Sequence, residues 1–124
     1  MSPLAWVAFV AAGALGAPVR YLADGFVGDR TEGAFPWGTF LINATGSLLL
    51  GLLTGLALYH ALPKTPKVVL GTGFCGAYTT FSTFTFETVR LLEEGAVDEA
   101  FRNAVGTLLT CAAAAAAGVA LAAL

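Results

Sequence analysis

Thr79-Thr80-Phe81-Ser82-Thr83-Phe84 interleaves four hydroxyls with two phenyl rings inside a stretch otherwise apolar enough to cross a bilayer. Hydroxyls left against hydrocarbon are too costly to be incidental, so these must face partner helices or a species that passes between them. Phe81 and Phe84, three apart, place their rings on one helical face. A phenyl ring is negative on its face and positive at its edge, so the edge can receive an anion. Ser82 and Thr83 add hydroxyls in neighbouring directions. The chemistry on offer is coordination of an ion by weak donors rather than bond making. No Ser/His/Asp, Cys/His or paired-carboxylate set can be assembled, and an enzyme is not expected.

Two other segments carry matching polar rows. Thr39, Asn43, Ser47, Gly51 and Gly55 recur at every fourth position of a Leu/Ile-rich segment and form one slowly drifting stripe. Stripes of small residues serve close helix packing in lipid. Asn43 differs, because a carboxamide brings two N–H donors and an acceptor and either bridges helices or coordinates a permeating species. Thr39 is taken with it as a pathway candidate. Asn103, Thr107 and Cys111 repeat the spacing near the C-terminus, as packing or as one wall of a polar track. Arg20 either snorkels to the interface or stands at the mouth of a pathway; Glu87 either pairs with Arg90 or does the same. The glycines of Gly71-Thr72-Gly73-Phe74-Cys75-Gly76 weaken a helix, so a break is expected there, with a kink as the alternative. Carbonyls freed at bilayer depth can hold a cation.

Elements must position these groups, and composition says which kind. The 124 residues are 57% hydrophobic and 11% charged, about half the usual charge fraction, which makes this a membrane protein. Four apolar segments are predicted as helices, 3–22, 36–62, 67–92 and 101–124, in one all-α transmembrane domain over 1–124, with the third broken. The stretch 24–35 is read as the first connection. Pro63 and Pro66 mark a tight turn, Gly95 a stop, and Asp98 a cap for the last helix. The apolar N-terminus lacks the positive flank of a secretory signal and is read as a retained span. Cys75 and Cys111 show no disulfide or zinc spacing and read as packing residues, and His60 as interfacial. A net charge of −2 with no basic patch excludes nucleic acid as a partner. Lys64 and Lys67 on one side oppose Arg20, Arg30, Arg90 and Arg102 on the other, a weak bias that leaves open both a poorly specified topology and insertion in two orientations.

Three blocks of residues carry a likeness: Gly13 to Tyr21, Trp37 to Ser47, and Gly71 to Phe84 ending in Thr-Thr-Phe-Ser-Thr-Phe. Through them the chain resembles the Fluc (CrcB-type) fluoride channels over nearly its whole length. The resemblance implies an antiparallel, dual-topology homodimer in the cell (inner) membrane, with two fluoride pathways along the subunit interface and a structural sodium ion on the two-fold axis. It implies that Asn43 donates to fluoride and that Phe81 and Phe84 supply ring edges. Ser82, Thr83, Asn103, Thr107 and Cys111 would form a polar track, with Arg20 and Glu87 near the pathway. The carbonyls of Gly76 and Thr79 would hold the sodium. Cys111 departs from the serine common at its position. The activity implied is passive export of fluoride that entered as the neutral acid. A small dual-topology drug/proton exchanger competes with this reading but needs a carboxylate within its first span, and none precedes Asp24. A scaffold subunit whose stripes only join helices is the third reading.

Overall fold

Pro3 is pre-set for the first helical position and Ser2 caps it, its Oγ accepting from the Ala5 N–H at 3.1 Å. In the computed structural model, which describes all residues from Met1 to Leu124, the chain is helical with no strands. α1 (Pro3–Gly28) runs past the expected stop at Leu22, because nothing before Gly28 breaks it; Asp24 therefore lies within the helix, not in the connection. The turn that follows uses Gly33 at φ +92°, a left-handed position that suits glycine. α2 (Trp37–Tyr59) starts directly after Pro36 and carries the stripe.

The third segment is a succession of pieces. α3 (Lys64–Lys67) begins after Pro63, so the two prolines do not mark a turn alone: Pro66 sits in the first turn of α3, where its missing N–H costs no helical hydrogen bond. A π-helical stretch, Val68–Cys75, follows, and then α4 (Gly76–Tyr78). The glycine run thus stays wound. Helical geometry is lost farther on, at Thr79 (φ −79°, ψ 161°), and α5 (Ser82–Glu93) resumes it. Gly95, at φ +79°, ends the segment as expected. α6 (Val97–Phe101), a π-helical stretch Arg102–Gly106 and α7 (Thr107–Ala122) complete the chain. Asp98 is not the cap: the N-cap is Ala96, with no side-chain bond, and Asp98 lies in the first turn, where a negative charge still favours the helix dipole.

Pro3–Gly28, Trp37–Tyr59 and Val97–Ala122 are each long and apolar enough to cross a membrane. Only 21 of the 124 residues are buried, so most apolar side chains face outward, as they do when lipid or another chain covers them. What is buried is small. A Cβ on Gly51 would overlap the Ala115 backbone, one on Gly118 the backbone of Leu48 and Leu52, and one on Gly55 would lie 2.6 Å from the Ala122 methyl. The glycines of the stripe therefore bring α2 and α7 into backbone contact. Gly16 does the same for α1 against Phe74 and Ala77, and Gly73 for the π-helical stretch against Phe9 and Ala12. At the far end, His60 joins this packing, its Nε2 2.7 Å from the Ala122 carbonyl.

Because the atoms facing Gly118 are backbone and cannot yield, Gly118→Val is expected to destabilise the protein by about 3 kcal/mol or prevent folding. Gly106→Ala, with nothing within 4 Å of the added carbon, is expected to be neutral or stabilising by up to about 1 kcal/mol. Thermal unfolding in detergent compares the two.

Candidate functional site

The site grows from the three residues where helical geometry stops. A helix that ends leaves its last carbonyls and the next helix's first N–H groups without partners, and inside a membrane each must find one. Asn43, on α2, supplies two: its Nδ2 donates to the Thr80 carbonyl at 2.9 Å and its Oδ1 accepts from the Thr80 N–H at 2.8 Å. Arg20, on α1, donates from Nη1 to the Thr79 carbonyl at 3.4 Å. Thr80 caps the helix that follows, its Oγ1 accepting from the Thr83 N–H at 3.1 Å and donating to Thr83 Oγ1 at 3.1 Å. Gly46, one turn on from Asn43, makes room: a Cβ there would overlap the Thr79 methyl.

Two cavities meet at Thr80. The larger, a groove of about 710 Å³, is lined by Asn43, Thr80, Phe81, Phe84, Thr107 and Cys111, with Gly76 and Thr79 along the same wall. The Phe81 and Phe84 rings lie 6.0 Å apart, tilted by 47°, and Phe81 is 77% exposed. A smaller cleft of about 240 Å³ holds Arg20, Asp24, Thr39 and Thr83. Thr39 is 3% exposed and its hydroxyl donates to Glu87 Oε1 at 2.5 Å. Glu87 is thus bound to α2. Arg90 pairs instead with Glu94, at 3.7 Å.

The residues expected to form one track divide. Thr107 and Cys111 line the groove. Asn103 is fully buried behind it, where its Nδ2 donates to Thr88 Oγ1 at 2.8 Å and its Oδ1 accepts from the Thr107 hydroxyl at 3.2 Å. Ser82 is exposed, with its Oγ 3.4 Å from that of Thr80. Cys75, 2% exposed, lies deep in the groove wall. Thr80 stands in the sequence only as one hydroxyl of the run and Asp24 only at the first connection, neither as a site residue. Thr80 had a signal, because a threonine three residues before Thr83 has the spacing of a side-chain cap. Asp24 had none: its carboxylate fills the space that Gly38 leaves open, a contact between residues far apart in sequence.

The Gly76 and Thr79 carbonyls have the chemistry to hold a hard cation, which takes oxygen ligands. No N–H or hydroxyl donates to the Gly76 carbonyl, and nothing lies within 4 Å of a Cβ placed there. Thr79 shares its carbonyl with Arg20. Two carbonyl oxygens of one chain are thus of the kind that a sodium ion takes.

Apolar spans, an interrupted third segment and a groove with hydroxyls and an amide among apolar side chains define an integral membrane protein. The chain matches the family described as CrcB-like protein, Camphor Resistance (CrcB), over residues 7–119, and it belongs to that family. It is 48% identical over 114 residues to a protein of Streptomyces avermitilis named fluoride-specific ion channel FluC 1, covering 92% of each chain. It is 49% identical over 122 residues to a protein of the same name from Frankia casuarinae, covering 94% of this chain and 95% of that one. A third, from Symbiobacterium thermophilum and also of that name, is 50% identical over 103 residues, with 82% and 83% covered.

Replacing Asn103 by Leu would leave the buried Thr107 hydroxyl without its partner and take one bond from the half-buried Thr88 hydroxyl, which keeps its bond to the Phe84 carbonyl, at a cost of about 1–3 kcal/mol. Thermal unfolding of Asn103→Leu beside the wild type reads that loss; an unchanged melting temperature would contradict the bonding described.

Proposed function

We propose that the chain is a fluoride-selective channel, passively exporting fluoride across the cell's inner membrane. The observation that carries this is a single groove in which Asn43, Thr80, Thr107 and Cys111 stand beside the rings of Phe81 and Phe84. The relatives of about half identity and nearly full coverage named as fluoride-specific ion channels support it. Fluoride is small and strongly hydrated. A pore must replace its water with several donors at once, none strong enough to trap it. Asn43 spends its carbonyl and one N–H on the Thr80 peptide and keeps a second N–H to give. The ring edges of Phe81 and Phe84 add positive rims without a formal charge. Arg20 and Glu87, with Thr39 and Thr83, belong to the polar approach on the other side of Thr80.

In one chain this groove is open along its side, and Phe81 is largely uncovered. The groove is largely apolar, but its amide, hydroxyls and free backbone carbonyl cannot be left to lipid, so we take a second copy to close it, antiparallel, as the weak Lys/Arg bias permits. Two such grooves give two pathways. Two copies would also bring four carbonyls, from Gly76 and Thr79 of each, around a sodium ion, which would supply a fixed positive charge at the dimer centre. The segment from α3 to α5 serves as the fourth crossing. The exchanger reading loses ground: Asp24 lies within α1 but in its last turns, exposed and against Gly38, rather than at mid-span.

Liposomes carrying the protein are expected to release fluoride down its gradient and to retain chloride, read with ion-selective electrodes; equal loss of both would refute selectivity. Phe81→Ile and Phe84→Ile are each expected to bring fluoride release to the level of empty liposomes. Cys111→Ser is expected to quicken it, a hydroxyl being a better donor than a thiol.

A further inference from the structure

Asn43 is engaged before any ion arrives. Its carboxamide and the Thr80 peptide groups form a closed two-point pair, at 2.9 and 2.8 Å, and neither Thr80 group has a place in a helix ladder. Peptide planarity gives each bond a separate consequence. The Thr80 N–H and the Thr79 carbonyl belong to one trans peptide and point in opposite directions, so fixing the first aims the second. The Thr80 carbonyl shares its plane with the Phe81 nitrogen, so fixing it sets the direction in which the chain enters Phe81. Asn43 Oδ1 thereby orients the carbonyl on the cation side of the interruption, and Nδ2 orients the ring on the anion side. Gly46, on the same face of α2, lets the Thr79 methyl rest against the helix.

We propose that Asn43 is a positioning residue for the cation carbonyls as well as a donor in the fluoride lane, its two side-chain atoms dividing the tasks. This rests on the reading of the groove and of the Gly76 and Thr79 carbonyls given above. Losing both atoms leaves the Thr79 carbonyl to the long bond from Arg20 alone and frees the Thr80 amide. In Asn43→Asp the carboxylate still accepts from the Thr80 N–H, so the bond that aims the Thr79 carbonyl is kept, but it turns an acceptor oxygen toward the Thr80 carbonyl, so the entry to Phe81 and the lane are spoiled. A residue that touched nothing but the permeating ion would act on flux alone.

The test uses the full chain in detergent, with sodium replaced stepwise by a bulky organic cation at constant ionic strength. Melting temperature against sodium concentration gives a midpoint, and hydrogen exchange gives the protection of the Thr80 amide. Asn43→Ala is expected to raise the sodium midpoint about tenfold, the equivalent of the one to two hydrogen bonds removed, and to speed Thr80 exchange at least about tenfold. Asn43→Asp is expected to keep both near wild type while abolishing fluoride release. Should Asn43→Ala not fold, Asn43→Ser, whose shorter stem cannot reach both Thr80 groups, gives the same reading. Unchanged midpoint or unchanged exchange in the Ala or Ser variant overturns the inference, as does an Asp variant that behaves like Ala. A wild-type chain whose melting ignores sodium overturns it together with the cation reading, whereas fluoride selectivity stands or falls on its own release measurement.

Discussion

Backbone polar groups inside a membrane have no water to fall back on, and the structure is organised around the one place where this chain stops bonding to itself. Between α4 and α5 the peptide groups of Thr79 and Thr80 leave the helical ladder. Each is met by a group from elsewhere: Arg20 from α1, Asn43 from α2, and the Thr80 hydroxyl from the segment itself. An interruption held from α1, from α2 and from within its own segment is a fixed feature. It turns a helix that would present only side chains into a segment that presents carbonyls on its incoming arm and ring edges on its outgoing one.

The glycines set how near the other helices come to that segment. Gly46 admits Thr79, Gly16 admits the backbone around Phe74, and Gly51 and Gly118 lock α2 to α7. α2 is therefore fixed from behind by α7 and holds the interruption in front, and the four-residue repeat of Thr39, Asn43, Ser47, Gly51 and Gly55 serves both faces. Thr39 and Asn43 point to α5 and the interruption, whereas Gly51 and Gly55 point to α7. A straight stripe at that spacing drifts around the helix, which is how one row reaches two neighbours.

Much of this was legible in the sequence. Apolar length gave three of the spans, Asn43 stood out as a costly amide among leucines, and the Thr79–Phe84 run holds the residues that meet Asn43 and line the groove. What could not be read was which partner each polar group takes. Asn103 matched Thr107 and Cys111 in spacing but turns to Thr88, because a fully buried amide must satisfy its donors on whichever helix is nearest. Glu87 matched Arg90 in spacing but bonds to Thr39, a residue 48 positions away. The glycine run looked like the weak point of the third segment, yet it remains wound where α1 and α2 pack on it, and the departure falls at Thr79, where Asn43 and Arg20 offer substitutes. Tertiary partners, not local propensity, decide where a helix can afford to open.

Under the proposed function, donors, ring edges and an open side serve one use: stripping water from a small anion in stages between two copies of the chain. The most direct measurement is the reversal potential of the wild-type protein in a planar bilayer with opposed fluoride and chloride gradients. A potential at the equilibrium value of fluoride is expected. A potential at that of chloride, or midway between the two, would contradict the account.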